Sequence, residues 1–148
     1  MSKFTEEKLE QAIIALLREQ GYPYHRGDSL ERGPSEVLLK DDLQTFLFDR
    51  YASDGITEAE TESIIRKLNS YSPIDLYQSN KAIHKLVADG FTLKREDRSK
   101  KDLYIQLVDY TGLRDQVGVR EHAKAAEDVA DYKDTNICRV VNQLEIEG

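Results

Sequence analysis

Near Gly90 the apolar residues of this chain change period. Before it they recur every three or four residues, the spacing of one face of an α-helix, and after it they fall into short β-prone runs broken by polar turns. A chain that carries the two periods in separate blocks has to set helices beside a sheet. The expected class is therefore α+β, with N-terminal helices packed against part of a mixed sheet. A length of 148 residues suits one compact domain, and 39% hydrophobic with 33% charged residues is too apolar for a chain that stays unfolded.

The first helix is predicted over Glu6–Gln20, with Leu9, Ala12, Ile13, Leu16 and Leu17 at helical spacing. Thr5 is placed to cap it, Glu6 and Glu7 suit the positive end of its dipole, and Phe4 is placed to pack on Leu9. Gly21 supplies a left-handed stop, after which Tyr22 can fold back onto Leu17. From Tyr22 to Pro34 the chain reads as a short strand or a loop. A second helix follows over Asp41–Tyr51, on the stripe Leu43, Phe46, Leu47, Arg50 and Tyr51, and Asp54-Gly55 ends it. Thr57-Glu-Ala-Glu60 is a capping box in front of Ile64, Ile65 and Leu68. A cap at Ser72 and Pro73 in the first turn open a fourth helical segment within Ile74–Asp89.

Beyond Gly90, Phe91–Glu96 and Leu103–Asp109 flank the polar turn 97–101 as a hairpin. Between Thr111 and Thr135 apolar residues thin out, and the segment reads as a loose helix near Glu121–Tyr132 or as a connection without one. The run Ile137–Ile146 alternates as a strand with Cys138, Val140, Leu144 and Ile146 facing inward.

Several function classes fall away. The longest uninterrupted aliphatic run, Ala12–Leu17, is far short of the ~20 residues a membrane span needs. The N-terminus has no secretory pattern, and the single Cys138 makes no internal disulfide, which fits a reducing, cytoplasmic setting. Neither Gly33-Pro-Ser nor Gly118-Val-Arg continues into a phosphate-binding loop, and His25, His84 and His122 are scattered rather than clustered as metal ligands. His84 reads as a helix-surface or half-buried residue rather than a ligand. A net charge of −7 argues against a wholly nucleic-acid-binding surface but allows a local basic face.

Two features stand out. On a helical wheel started at Leu9, Glu10 falls at about 100°, between Leu17 at about 80° and Ile14 at about 140°, so a carboxylate interrupts an apolar arc. An acid there either reaches solvent or a nearby Lys, or it is aimed into a metal or substrate site. The second feature is Lys94-Arg-Glu-Asp-Arg-Ser-Lys-Lys101, with five positive and two negative charges, a local +3 (5 − 2) that follows a helix carrying Asn80, Lys81 and His84. Either it is a solvated hairpin tip, or it resembles the wing of a winged-helix DNA-binding domain, with Arg98, Lys100 and Lys101 on phosphates.

Four blocks then match one family in order and spacing: Phe4–Tyr22, Lys85-Leu-Val-Ala-Asp-Gly-Phe91, Leu103-Tyr-Ile-Gln-Leu-Val-Asp-Tyr110 and Asn136-Ile-Cys-Arg-Val-Val-Asn-Gln-Leu-Glu-Ile-Glu-Gly148. They resemble the N-terminal end of the R (restriction, HsdR-type) subunit of type I restriction-modification enzymes, and Asn136, Val141, Asn142 and Gln143 are the most specific part. The resemblance implies a nuclease of the PD-(D/E)xK kind, followed by ATP-driven motor domains and a region that docks on the modification complex. It implies Mg²⁺ and ATP as cofactors of the full-length subunit, and double-stranded DNA with the modification and specificity subunits as partners. By position it makes Glu10 the helix glutamate of the metal site, a catalytic and metal-binding role.

In relatives the strand matching Val140–Ile146 is followed by an aspartate and then by a strand bearing an acid-x-Lys pair. Neither Asp97-Arg-Ser-Lys100 nor Glu145-Ile-Glu147 substitutes for that pair. The expectation is thus a single-domain fragment over residues 1–148, the incomplete first portion of the nuclease domain, binding neither cofactor and inactive by itself. The rivals are a winged-helix DNA-binding or regulatory module without enzymatic activity, and a protein-interaction domain that uses its acidic charge and exposed helices.

Overall fold

The computed structural model describes residues 5–33, 35–111 and 135–145. They gather into two compact units, one drawn from Met1–Leu39 and Ile137–Gly148, the other from Lys40–Asn136.

The first unit opens with α1, Glu6–Glu19. Thr5 Oγ1 accepts from the amide of Lys8, which gives the cap its expected partner. At the other end Gly21, at φ 90°, donates its amide to Arg18 O, and the Tyr22 amide reaches back to Leu17 O. These are the two bonds of a Schellman stop. The stretch left open between strand and loop holds both: β1, Tyr24–Arg26, and a 3-10 turn at Gly27–Ser29. β1 pairs in parallel with β4, Val140–Asn142, in the register Tyr24 with Val140, His25 with Val141 and Arg26 with Asn142. Parallel neighbours need a long connection between them, and the whole second unit lies within that connection in sequence.

The second unit runs α2 (Lys40–Arg50), α3 (Glu58–Asn69), a 3-10 turn at Pro73–Asp75, α4 (Leu76–Asp89), β2 (Phe91–Leu93) and β3 (Leu103–Ile105). The capping box is complete: Glu60 N donates to Thr57 Oγ1 at 3.2 Å and Thr57 N to a Glu60 carboxylate oxygen at 3.1 Å. Ser72 caps the 3-10 turn and Asp75 caps α4. α2 packs on α3, and Leu47, Ile64 and Ile105 are fully buried. Antiparallel β2 and β3 form the expected hairpin, each strand starting where its apolar run starts and ending earlier.

Some expectations are corrected. The class is α+β, but among the described residues the strands make two separate two-stranded sheets, one parallel and one antiparallel, rather than one mixed sheet. The C-terminal strand spans three residues, so Cys138 lies outside the pairing and is exposed, and Leu144 beyond it is 39% exposed. Alternation assigned them a face, but a face is buried only where a neighbour covers it. On α1, Leu9, Ile13 and Leu16 are exposed and Ile14 is buried. Phe4, Ile146, His122 and the helix expected near Glu121–Tyr132 lie outside the described residues.

Two clusters of polar contacts brace the second unit. Arg95 bonds Glu60 at 2.7 Å, and its other nitrogens hold the carbonyls of Asp54 and Gly55. Buried Asp109 pairs with Arg50 at 2.8 Å and accepts hydroxyl bonds from Thr111 and Thr135. The side chain of Asn136 bonds both the amide and the carbonyl of Asp109. Positions 109–111 and 135–136 are thereby tied to one point.

Candidate functional site

The half-buried face of α1 is formed by Glu10, Ile14 and Leu17, neighbours on the helical wheel. This is the face that the first unit covers. In a parallel pair, register partners and residues two positions along share a side of the sheet, so Tyr24, Val140 and Asn142 face one way and His25 and Val141 the other. Glu10 comes to the Tyr24–Asn142 side. Asn142 Nδ2 donates to Glu10 Oε1 at 3.0 Å, and the Tyr24 hydroxyl donates to Asn142 Oδ1 at 2.9 Å.

Two backbone features shape the end of this strand pair. A Cβ built on Gly27 would lie 2.3 Å from Gln143 O and 2.7 Å from Asn142 O, so only glycine lets the turn after β1 approach β4 this closely. Directly after Asn142, Gln143 adopts φ 50°, a left-handed conformation uncommon for a residue with a side chain and a frequent companion of functional sites. Arg32 adds side-chain bonds to the carbonyls of Glu36 and Glu145, tying the loop after β1 to the segment after β4.

Glu10 was legible as a carboxylate in an apolar arc. Its partners were not: Tyr24 lay in a segment open between strand and loop, and Asn142 is separated from Glu10 by 132 positions. The parallel register is what joins them. Among the described residues no group of three or more His, Cys, Asp or Glu side chains is arranged to hold a metal ion. On the covered face of α1 the carboxylate is that of Glu10.

The basic turn belongs to the second unit and is less basic than its sequence. Arg95 is buried against Glu60, so the +3 of residues 94–101 falls to +2 (3 − 1) on the exposed side chains. Burial works to raise the Glu60 carboxyl, but the Arg95 bond, the amides of Thr57 and Glu96 and the Arg95 charge outweigh it and hold Glu60 below its usual range. Arg98, Lys100 and Lys101 are exposed, as are Asn80, Lys81 and His84 on α4. Asp97 shapes the tip by accepting from the hydroxyl and amide of Ser99, which hold its carboxyl low as well. Among the described residues no helix is long and apolar enough to cross a membrane.

The family model described as type I restriction enzyme R protein N terminus matches residues 3–148. No curated protein and no solved structure gives a match.

Proposed function

Because the chain belongs to the family of type I restriction enzyme R protein N termini, we propose that it contributes Glu10 to the DNA-cleaving site of such a subunit. The observation that carries this is the placement of Glu10: the one carboxylate on the covered face of α1 stands beside a parallel strand pair and is held there by Asn142. A carboxylate with a fixed lone-pair direction is suited to orient a proton donor or to complete a set of oxygen ligands.

The wider reading is an R subunit whose nuclease domain is of the PD-(D/E)xK kind. It takes Mg²⁺ for phosphodiester hydrolysis and ATP for movement along double-stranded DNA, and it works in the cytoplasm with modification and specificity subunits. Residues 1–148 form the opening part of its nuclease domain. Tested by themselves they leave supercoiled plasmid intact with Mg²⁺ and ATP, since neither Asp97-Arg-Ser-Lys100 nor Glu145-Ile-Glu147 supplies the acid-x-Lys pair of the family's chemistry. Metal-dependent nicking by the purified chain overturns that statement. In the assembled, full-length enzyme, Glu10→Gln lowers DNA cleavage by about 10²-fold or more, the loss expected when a preorganised group at a reacting centre is removed. ATP hydrolysis stays within about twofold, because the substitution touches only this centre. Unchanged cleavage returns Glu10 to a carboxylate that merely caps a covered face.

A second reading is favoured by one observation. The hairpin β2–β3 follows α4 directly and forms a sheet of its own, the element order of a winged helix, with Arg98, Lys100 and Lys101 exposed between its strands. This turn contacts duplex phosphates without reading bases. Replacing Arg98, Lys100 and Lys101 together by Ala weakens binding to short duplexes of any sequence and lowers the salt slope by roughly 2 to 3. An unchanged salt slope leaves the turn a solvated hairpin tip.

A further inference from the structure

We propose that Asn142 and Tyr24 are positioning residues for Glu10, a directional chain of hydrogen bonds that presents one carboxylate oxygen and ties down the other. The proposal rests on the reading of Glu10 given above and adds the residues that make it a fixed group rather than a mobile one.

The direction of the chain follows from donor and acceptor chemistry. An ionised carboxylate only accepts, so the amide of Asn142 has to turn its NH₂ to Glu10 Oε1, as the 3.0 Å contact has it. Its carbonyl oxygen then faces Tyr24, whose hydroxyl supplies the donor at 2.9 Å. Each bond polarises the next in the same sense, toward the carboxylate. Among the described residues Glu10 Oε2 accepts no hydrogen bond, so the chain occupies one oxygen and leaves the other available.

Three elements have to agree for this to form. α1 brings Glu10, β1 brings Tyr24 and β4 brings Asn142, two positions beyond the register partner of Tyr24. The close approach at Gly27 and the left-handed Gln143 fix the backbone next to Asn142, so the amide is carried on a constrained strand end rather than on a loop tip.

Two measurements test the proposal. In the 148-residue chain, the side-chain NH₂ resonances of Asn142 shift on Glu10→Gln and on Tyr24→Phe, and stay in place on Glu7→Gln, an exposed change on the same helix. Resonances that ignore Glu10→Gln overturn the chain of bonds. In the full-length enzyme, Asn142→Ala lowers cleavage by about 10- to 100-fold, the usual loss when the hydrogen-bond partner of a ligating group is removed, with ATP hydrolysis unchanged. Tyr24→Phe, which removes a single oxygen, lowers cleavage less. Because all three act through one carboxylate, neither substitution lowers cleavage further in a Glu10→Gln background. Losses that multiply in the double variants overturn the positioning role. If Glu10→Gln itself leaves cleavage unchanged, the reading of Glu10 fails, while the resonances still decide whether the bonds exist.

Discussion

Among the described residues seven apolar side chains are buried between Lys40 and Asn136, Phe46, Leu47, Tyr51, Ile56, Ile64, Leu68 and Ile105, whereas in the other unit Ile14 alone reaches that state. Polar contacts differ in kind as well. In the larger unit they brace: Arg95 closes the start of α3 onto the turn at Asp54–Gly55, and Asp109 ties Thr111 to Thr135. In the smaller unit Arg32 also ties two segments together, but the contacts of Asn142 converge on a carboxylate. A well-filled core tolerates little change in shape, and a polar group held at a thinly covered face keeps access to a ligand. Folding energy and candidate chemistry therefore sit in different parts of the chain.

The sharpest way to break this division is to strike the larger core. Leu47→Ala is expected to cost about 2–5 kcal/mol, seen as a large fall in the thermal midpoint of helical circular dichroism. A loss well under 1 kcal/mol means that the α2–α3 contact is not the chief source of stability. Gly27→Ala comes next: its methyl meets the backbone of Asn142 and Gln143, so β4 has to shift, at about 1–3 kcal/mol. The same change displaces the Asn142 side-chain resonances. If those resonances stay put, the close approach is not what fixes the strand end.

A smaller effect separates the units by pH. Glu60 is held below its ordinary value of 4.5, so its contribution is fully present above that pH and is lost as pH falls through the lower folded value. The stability difference between the wild type and Glu60→Gln should shrink on acidification below pH 4.5. A difference that is constant with pH removes the ionised pair with Arg95 from the account. The smallest change is Thr57→Ala, which removes the cap of α3 and costs about 1 kcal/mol.

These examples mark where the sequence was readable. Thr57 and Glu60 stand three positions apart, so their reciprocal bonds are a local pattern, and the Schellman stop at Gly21 is local for the same reason. Arg95 reads as one more cation in a basic turn, because its partner lies 35 positions away and only the fold reveals that it is spent on Glu60. Glu10 stood out because it broke a periodic apolar arc, the whole of which reads as a core face. The covered side proved to be Glu10, Ile14 and Leu17, with Leu9, Ile13 and Leu16 on the exposed one. The inward placement of Cys138 failed because alternation names a side and says nothing of how far pairing extends. The four matched blocks carried the family.

The parallel pairing of β1 with β4 also sets an order of events on the ribosome. Tyr24 is made 116 positions before its partner Val140 (140 − 24), a wait of roughly 6–23 s at ~5–20 residues per second. During that wait α2, α3, α4 and the β2–β3 hairpin, whose contacts are closer in sequence, are all synthesised. These helices and the hairpin can thus associate while β1 is still an unpaired edge, and the Glu10–Asn142 bond forms only after them.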